Sequence, residues 1–360
     1  MTREIPKISP TSSIEDKRLI LEGTSHLWEE LRGRRVFITG GTGFIGTWLL
    51  QSFAWANQEL ELHAEAVVLS RNWRAFCAKA PRLAADPAIS CHAGDVRDFD
   101  FPSGDFSHVI HAATEASAKL NDENPLLMLD TIVQGTRRTL NFARHCKAGK
   151  FLLTSSGAVY GKQPPDLTHI PEDYLCAPDT TDPRSSYGQG KRIAEHQCVL
   201  YARQYGIEAK IARGFAFVGP YLPLDIHFAV GNFIRDGLGG GPIVVSGDGT
   251  PYRSYLYATD LAIWLWTILL QGKPCRPYNV GSEEAVSIAE LAHTVADCFR
   301  PRPEVQILQS HTLGKPAERY VPWCERARKD LALRQYVDLR QAIRKTVQWH
   351  TPQDGACHLC

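Results

Sequence analysis

Two kinds of hydrophobic pattern alternate along residues 35–219. Short runs of apolar and β-branched residues predict strands at 36–39, 64–70, 89–96, 107–113, 150–156 and 208–218. Longer segments with apolar residues three or four positions apart predict helices at 44–56, 125–145 and 186–205. Strands that alternate with helices predict an α/β fold, in which a doubly wound parallel sheet is covered by helices on both faces.

The same pattern divides the chain into parts of different character. The first 34 residues are polar, with helical spacing around 14–31. After Gly219-Pro220 the pattern becomes irregular and rich in glycine and proline, which predicts a smaller C-terminal lobe. The predicted parts are an N-terminal extension at 1–34, an α/β domain at 35–219, the smaller lobe mainly at 220–350 and a tail at 351–360.

Composition and charge narrow the classes of function. Hydrophobic residues make up 44% and charged residues 22% of the 360 residues, which is typical of a globular protein. The 40 Lys and Arg residues balance the 39 Asp and Glu residues, so the chain lacks the cationic excess that nucleic-acid binding uses. The longest apolar run, 261–270, is half the length that spans a bilayer, and the N-terminus has no apolar segment of the signal-peptide kind. We therefore expect a soluble, cytoplasmic protein that binds neither nucleic acid nor membranes.

The ten cysteines do not predict a metal centre. A small buried thiol is the usual interpretation of the four in helix-like stretches, Cys77, Cys146, Cys198 and Cys298. One C-x-x-C pair, Cys357 and Cys360, occupies the last four residues, and no further ligands with metal-binding spacing accompany it. We therefore expect no metal site.

A glycine-rich turn joins the first predicted strand to the first predicted helix. Residues 39–46 read Thr-Gly-Gly-Thr-Gly-Phe-Ile-Gly, which contains G-x-G-x-x-G from Gly41 and G-x-x-G-x-x-G from Gly40. Glycine permits the tight turn, lets the backbone approach a pyrophosphate and allows the helix to pack closely on the strand. The helix N-terminus adds unpaired N–H groups that attract phosphate. We therefore predict a Rossmann-type dinucleotide site that includes Gly40, Gly43, Phe44, Ile45 and Gly46.

Residues after the second and third strands bear on the choice of dinucleotide. An acidic residue after the second strand would bind the ribose hydroxyls of NAD, but this chain has Ser70-Arg71-Asn72. Arg71 favours the 2′-phosphate of NADP through charge-assisted hydrogen bonds, unless it only covers the adenine or faces solvent. We therefore predict NAD or NADP as the cofactor and favour NADP. Asp95 and Val96, at the end of the third predicted strand, are predicted to bind the adenine end, although an aspartate there is also an ordinary turn residue.

Tyr187 and Lys191 lie four residues apart on a predicted helix and therefore share one face. An ammonium group close to a phenol stabilises phenolate, so we expect Lys191 to lower the pKa of Tyr187 below its usual value of about 10. Tyr187 would then act as a general acid or base near neutral pH. The Y-x-x-x-K pattern also occurs by chance, but here Ser156 ends the preceding strand and the glycine turn lies upstream.

Seven motifs follow one another in an order that resembles the extended short-chain dehydrogenase/reductase family. They are TGGTGFIG, GDVRD, HAAT, LTSSGAVYG, YGQGK, RGFAFVGP and GDGTPYRSYLYATDLA. Within that family the chain is similar to the NAD(P)-dependent nucleotide-sugar epimerases and dehydratases. The resemblance extends from about Arg35 to His350 and implies a nucleotide-diphosphate sugar as the substrate.

The resemblance implies a role for each matching residue. Ser156 corresponds to the residue that hydrogen-bonds the reacting sugar oxygen, and Tyr187 to the base that removes the hydroxyl proton as hydride leaves the sugar carbon. Lys191 corresponds to the lysine that holds the nicotinamide ribose. The stretch that lines the cofactor corresponds to His111, Ala112, Ala113 and Thr114. Substrate contacts correspond to Asn232 and to Arg253, which would bind the nucleotide diphosphate unless it forms only a surface salt bridge.

The chain departs from the family pattern at three places. In 4,6-dehydratases Asp-Glu usually follows the catalytic Ser or Thr, and decarboxylases tend to carry Glu at the second position, whereas this chain has Gly157-Ala158. Ala216 and Val218 replace the usual asparagine and tyrosine before the C-terminal lobe, which removes a polar contact to the substrate. Residues 135–138 read Gly-Thr-Arg-Arg instead of G-T-x-N on a helix that forms a dimeric four-helix bundle in many relatives. The resemblance implies a homodimer.

The leading hypothesis is a nucleotide-diphosphate-sugar epimerase that removes hydride from a sugar carbon, forms a keto intermediate and returns the hydride. It needs Ser156, Tyr187, Lys191 and a retained cofactor, but no carboxylate pair. An NADPH-dependent reductase of nucleotide-linked keto-sugars is the alternative that Arg71 favours. The absent carboxylates weaken the dehydratase and decarboxylase alternatives, and the intact Ser-Tyr-Lys set argues against a scaffold that has lost catalysis.

Overall fold

The computed structural model describes residues 10–114, 118–226, 228–312, 314 and 316–351. Its strands are β1 (Arg35–Thr39), β2 (Glu65–Ser70), β3 (Ile89–Ala93), β4 (His108–His111), β5 (Lys150–Ser156), β6 (Glu208–Gly214), β7 (Phe217–Val218), β8 (Ile243–Val245), β9 (Tyr252–Arg253), β10 (Leu256–Tyr257), β11 (Pro277–Val280), β12 (Val286–Ser287), β13 (Val305–Ile307) and β14 (Arg319–Tyr320). Its α-helices are α1 (Pro10–Thr24), α2 (Phe44–Glu59), α3 (Trp73–Lys79), α4 (Pro81–Ala84), α5 (Ala118–Glu123), α6 (Pro125–His145), α7 (Ser186–Tyr205), α8 (Ala229–Leu238), α9 (Ala258–Gln271), α10 (Ile288–Ala296), α11 (Glu325–Leu331) and α12 (Leu339–His350). Short 3-10 helices span Trp28–Leu31, Gly157–Tyr160 and Pro183–Ser185.

Seven parallel strands form the central sheet in the order β11-β6-β5-β4-β1-β2-β3. The direction of winding reverses between β1 and β4, because the chain crosses there from one half of the sheet to the other. In doubly wound sheets, dinucleotides bind in the crevice at such a reversal, at the carboxyl ends of the strands. The predicted doubly wound parallel sheet is confirmed.

Helices cover both faces of this sheet and create two hydrophobic cores. On one face α6 and α7 bury an aromatic cluster that includes Phe37 and Phe142, whose ring centroids are 4.5 Å apart. On the other face α1, α2 and α9 pack together, and all of Ala258–Leu270 is buried. The apolar run at 261–270 is therefore a core helix between the sheet and α1. Within the described ranges, no helix is long and apolar enough to cross a bilayer.

Most predicted elements agree closely with the structure. Helices α6 and α7 and strand β5 have the predicted bounds. The strand predicted over 208–218 is two strands, because the pairing of β6 with β5 ends at Gly214 and β7 pairs with β10 instead. Strand β11 was not predicted, since it lies in the irregular C-terminal part of the sequence, yet it completes the central sheet beside β6.

Residues beyond 219 contribute a third hydrophobic core as well as α9 and β11. Helices α8, α10 and α12 surround this core, which includes Phe233, Leu291 and Ile343. Strand β9 pairs with β12 and β14 in a small three-stranded sheet. This small sheet carries Arg253 and Tyr320 towards the carboxyl edge of the central sheet, where Tyr320 meets Ser156.

The N-terminal segment packs on the α/β domain as far as the structure describes it. Helix α1 contacts α9, and Ile20 and Trp28 are fully buried. The ring centroids of Trp28 and Trp266 lie 4.8 Å apart. The helical spacing at 14–31 corresponds to α1, which ends at Thr24, and to the following 3-10 turn.

Candidate active site

The two hydroxyl groups predicted to carry the chemistry lie together at the carboxyl edge of the sheet. Ser156 is the last residue of β5 and is 7% exposed, and its Oγ accepts a hydrogen bond from the N–H of Ala158 (3.1 Å). Tyr187 lies in the first turn of α7, where its backbone N–H donates to Asn121 Oδ1 (3.1 Å). The Ser156 side chain lies close enough to the Tyr187 hydroxyl to lower its pKa. The structure therefore brings these two predicted residues together.

Lys191 lies one helical turn after Tyr187 and is 2% exposed. Its Nζ donates to Thr114 Oγ1 (2.9 Å) and to the Thr154 carbonyl oxygen (2.8 Å), and it lies 5.8 Å from the centroid of the Tyr187 ring. Burial lowers the pKa of Lys191 to about 8, although the nearby charge of Glu195 opposes this change. Lys191 thus joins α7 to the predicted cofactor-lining residue Thr114.

The expected electrostatic effect of Lys191 on Tyr187 is not found. We expected the ammonium to lower the pKa of Tyr187, but burial raises that pKa, and the nearby Ser156 side chain is what opposes the rise. The ammonium hydrogen-bonds Thr114 and Thr154 instead. Tyr187 is therefore a neutral phenol in the protein alone, and a lower pKa requires a further positive charge beside it.

A buried ion pair holds α7 against the sheet. Glu195 lies one turn after Lys191, and its carboxylate accepts hydrogen bonds from Ser155 Oγ on β5 (2.5 Å) and from Arg213 on β6 (2.9 and 2.7 Å). Arg213 also donates to the Tyr160 hydroxyl (2.9 Å). Sequence analysis noted Arg213 only as part of a motif and missed Glu195. Its position four residues after Lys191, on the same helix face, is the signal that would have found it.

The glycine turn has the shape that a pyrophosphate site requires. Gly40 has a φ of +71°, and a Cβ there would lie 2.5 Å from the carbonyl carbon of Ala112, so β1 and β4 approach closely only because residue 40 has no side chain. Gly43 is the N-cap of α2, and no side chain among the described residues caps this helix. The N–H groups of its first turn, which include those of Phe44 and Ile45, have no partner within the helix. This turn fits the phosphates of a dinucleotide.

The other residues predicted to line the cofactor lie around the same turn. A Cβ on Gly46 would collide with the backbone of Gly40, so α2 needs a glycine there to pack on the turn. Ala113 N–H donates to Thr39 Oγ1 (3.2 Å) and ties the end of β4 to β1. His111 shares this hydroxyl through Nδ1 (2.8 Å), and burial lowers the pKa of His111 to about 3. His111 is therefore a neutral structural residue at physiological pH.

At the predicted adenosine end of the site, the charge of Arg71 is partly offset by a nearby carboxylate. Arg71 is 69% exposed, and its guanidinium lies 3.9 Å from the carboxylate of Asp95. Asp95 also accepts a hydrogen bond from Arg97 Nε (2.9 Å), which lowers the pKa of Asp95. Val96 is buried in the core against Gly135. Because Asp95 faces both arginines, the positive charge available for a 2′-phosphate is smaller than Arg71 alone suggests.

The second lobe brings Tyr320 to Ser156, whereas the substrate role of Arg253 remains a prediction. Arg253 on β9 lies opposite Tyr320 on β14 in the register of the small sheet. The Tyr320 hydroxyl lies 3.4 Å from Ser156 Oγ. Sequence analysis predicted Arg253 but missed Tyr320, because the segment around it has no recognisable motif.

Among the described residues, no contact links the other predicted substrate position, Asn232, to Ser156. Asn232 lies on α8, and its side-chain oxygen accepts a hydrogen bond from Arg235 of the same helix (3.3 Å). Val218, which replaces the usual tyrosine, is fully buried in the core of the second lobe. A substrate role of Asn232 remains a prediction.

Four of the eight cysteines in the described ranges are buried. Cys146, Cys198 and Cys298 are buried and Cys77 is partly exposed, whereas Cys357 and Cys360 lie outside the described residues. Where the structure describes the chain, no three His, Cys, Asp or Glu side chains gather as a metal site would require.

Comparison with protein families explains why these features occur together. The model of the NAD-dependent epimerase/dehydratase family matches residues 36–281, from the start of β1 to the end of β11. The chain belongs to the NAD-dependent epimerase/dehydratase family. The matched region of this family member includes the glycine turn, Ser156, Tyr187 and Lys191.

Individual relatives are known nucleotide-sugar enzymes. UDP-glucuronic acid decarboxylase 3 of Arabidopsis thaliana is 32% identical over 312 residues, which cover 86% of each chain. UDP-glucuronic acid decarboxylase 6 of the same plant is 31% identical over 309 residues, again 86% of each chain. The chain is therefore an enzyme of the nucleotide-sugar-processing type.

Solved structures share the fold at lower identity. The dTDP-glucose 4,6-dehydratase of Streptomyces venezuelae with NAD bound has a TM-score of 0.73 at 24% identity, covering 88% of this chain and 96% of that one. The UDP-glucose 4-epimerase of Thermotoga maritima has a TM-score of 0.72 at 20% identity, covering 88% of this chain and 98% of that one. These similarities show the Rossmann architecture.

Proposed function

We propose that this chain is a nucleotide-diphosphate-sugar epimerase that transiently oxidises one sugar carbon. The proposal is supported by the cluster of Ser156, Tyr187 and Lys191 beside the glycine turn, in a chain without acidic side chains at Gly157 and Ala158. Epimerisation needs a group that exchanges a proton with a sugar hydroxyl, but it does not need an acid–base pair for the elimination of water. The hydride leaves and returns, so no redox equivalents are consumed.

The chain's own residues have complementary tasks in this reaction. Tyr187 removes the hydroxyl proton as the C–H bond breaks and returns it to the sugar oxygen at the end. Ser156 holds that oxygen, and Lys191 fixes the ribose side of the site. A bound nicotinamide dinucleotide supplies the hydride acceptor and, in its oxidised form, the positive charge that lowers the pKa of a neighbouring phenol.

Decarboxylation of a nucleotide-linked uronic acid is the second candidate. It is favoured by the 32% identity to a protein named as a UDP-glucuronic acid decarboxylase. The same oxidation would place a ketone one carbon away from the carboxylate-bearing carbon, so that CO2 could leave with the electron pair taken up as an enolate. Ala158 argues against this candidate, because the resembling decarboxylases tend to carry Glu there.

Product analysis tests these candidates directly. The protein, loaded in parallel with NAD and with NADP, is incubated in heavy water with UDP-glucose, UDP-glucuronic acid and a wider panel of nucleotide sugars, and the products are separated by liquid chromatography and examined by mass spectrometry. Epimerisation gives an isomer with no net change in NADH absorbance, whereas decarboxylation gives a product lighter by CO2. A reductase would instead consume NADPH in proportion to product. Failure to convert any nucleotide sugar would contradict the proposed function.

The assignment of Tyr187 is tested by Tyr187→Phe, which removes only the hydroxyl. We expect turnover to fall at least about a hundredfold with an unchanged melting temperature, because the proton-transfer group is lost. Tyr205→Phe is the matched control, since Tyr205 lies at the other end of α7 and is 45% exposed. Near-normal turnover of Tyr187→Phe would contradict the assignment of the base.

The preference for NADP over NAD is part of the proposal. Arg71 at the end of β2 supports it, although Asp95 offsets part of its charge. Arg71→Ala should weaken the binding of NADP more than that of NAD in parallel fluorescence titrations. An equal loss of affinity for both dinucleotides would remove the argument for NADP. NAD would then be the expected cofactor, because the family is NAD-dependent.

We also propose that the protein is a homodimer that pairs α6 and α7 with their copies. Ile193 and Leu200 lie seven positions apart on one face of α7, and each is 42% exposed. A contiguous exposed apolar patch often marks a protein–protein interface. Sedimentation equilibrium should give twice the mass of the chain, and Ile193→Glu combined with Leu200→Glu should give a monomer. A monomeric wild type would contradict the proposal.

A further inference from the structure

Tyr320 brings a second phenol to the site from the C-terminal lobe. Its hydroxyl lies 3.4 Å from Ser156 Oγ, and its ring packs against Phe215 with ring centroids 4.6 Å apart. Like Tyr187, it is neither fully buried nor exposed. Because 3.4 Å is long for an O–H···O hydrogen bond, this hydroxyl can form a better bond with an oxygen that enters the site.

Gly157 provides the space for this hydroxyl. A Cβ at residue 157 would lie 2.8 Å from the Tyr320 oxygen and 2.7 Å from the Phe215 ring, closer than such atoms can pack. A side chain at 157 and Tyr320 in this position therefore exclude each other. Where the resembling dehydratases carry Asp-Glu, this chain has Gly157 and Ala158, and the Tyr320 phenol lies in front of Gly157.

The surroundings keep Tyr320 protonated. Burial raises the pKa of Tyr320, and the proximity of Tyr187 adds to the rise, while Arg253 and the hydrogen bond with Ser156 oppose it. A phenol in this state is a hydrogen-bond donor at every physiological pH. A sugar hydroxyl or carboxylate oxygen provides the matching acceptor.

We propose that Tyr320 is a substrate-contacting residue of the catalytic site, whose hydroxyl donates a hydrogen bond to a sugar oxygen next to the one held by Ser156. This inference rests on the proposed function, because it requires a nucleotide sugar bound with its sugar at Ser156. The C-terminal lobe then does more than bind the nucleotide. It completes the sugar pocket at the place where resembling dehydratases use a carboxylate.

Tyr320→Phe tests the inference, because it removes the hydroxyl and keeps the ring that packs on Phe215. Tyr252→Phe is the matched control. Tyr252 belongs to the paired strand β9, and its ring stacks under Arg319 (4.2 Å), on the face of the small sheet opposite to Arg253 and Tyr320. Calorimetric titration of the NADH-loaded proteins with UDP-glucose, UDP-glucuronic acid and UDP separates contacts to the sugar from contacts to the nucleotide.

We expect Tyr320→Phe to bind at least one of the two UDP-sugars about tenfold more weakly, with UDP affinity within about twofold of wild type and an unchanged melting temperature. Tyr252→Phe should resemble wild type with all three probes. Equal losses for UDP and the UDP-sugars, or no loss for either sugar, would overturn the role of Tyr320 and leave the proposed function intact. If wild type binds none of the probes, the proposed function fails, and this assignment is overturned with it.

Gly157→Ala gives a second and independent measurement. The added methyl group must displace Tyr320 or Phe215, so this variant should show the same selective loss for the UDP-sugar. Combining it with Tyr320→Phe should add little further loss, because both changes remove the same contact. Fully additive losses would overturn the assignment.

Discussion

Replacing Arg213 with methionine should destabilise the protein and disturb the helix that carries Tyr187 and Lys191. The Arg213 guanidinium contacts both carboxylate oxygens of Glu195, at 2.9 and 2.7 Å, and only 14% and 12% of the two side chains are exposed. Methionine keeps much of the buried volume but leaves the Glu195 charge without its partner in a poorly hydrated place. The carboxylate would retain its hydrogen bond from Ser155.

The magnitude follows from the burial of this pair. Removing one partner of a buried ion pair costs about 3–5 kcal/mol. For a chain of 360 residues the unfolding entropy is about 0.75 kcal/mol/K, so a loss of about 4 kcal/mol lowers Tm by about 5 °C. Changing Glu195 to methionine as well removes both charges, and the double variant should recover at least about half of the loss.

Urea unfolding followed by tryptophan fluorescence measures these differences, and turnover reports any displacement of α7. Arg328→Met is the control, because the Arg328–Glu283 pair (2.7 Å) has side chains 48% and 32% exposed and should contribute less than about 1 kcal/mol. The reasoning is refuted if Arg213→Met costs no more than Arg328→Met, or if the double variant is as unstable as Arg213→Met alone.

Three further outcomes can be measured on single variants. NAD affinity should fall as pH rises through about 8, because burial lowers the pKa of Lys191 to about 8 and the ammonium is lost; in Lys191→Met, titrations should show no such fall. Stability should fall as pH rises from about 4 to about 7. Burial raises the pKa of Asp260 to about 7, so the native state keeps a proton that the unfolded chain has already lost. Melting temperatures measured across this pH range test the cause, and an equal fall in Asp260→Asn would exclude it. Gly40→Ala should lower Tm more than Gly206→Ala. The φ angles of the two glycines are nearly equal, at +71° and +72°, but a Cβ at residue 40 would lie 2.5 Å from Ala112, whereas nothing lies within 4 Å of a Cβ at residue 206. Equal losses of Tm would contradict the close approach at Gly40.

Elements with their own periodicity could be predicted from the sequence alone. Helices α6 and α7 bury one face along 21 and 20 residues, so their spacing and ends are visible locally. Strand β11 has only 4 residues, and it becomes a strand because β6 offers an unpaired edge far away in the chain. The break between β6 and β7 likewise depends on partners and not on local hydrophobicity.

The candidate site divides in the same way. Ser156, Tyr187, Lys191 and the glycine turn could be found because each belongs to a short motif, and short motifs depend on helical spacing or backbone geometry that sequence determines. The direction in which the pKa of Tyr187 shifts could not be predicted, because it is set by burial, which the spacing between Tyr187 and Lys191 does not reveal. Tyr320 could not be found either, since it approaches Ser156 from a residue 164 positions later in the chain.

The sequence by itself determined the Rossmann architecture, the family and the residues proposed to carry its chemistry. Only the tertiary structure decided which groups share the low-dielectric space around Ser156, because burial and desolvation depend on every element that packs there. Gly157 illustrates the difference. In the sequence it is a missing carboxylate, whereas in the folded protein it is the space that lets the Tyr320 hydroxyl reach the site.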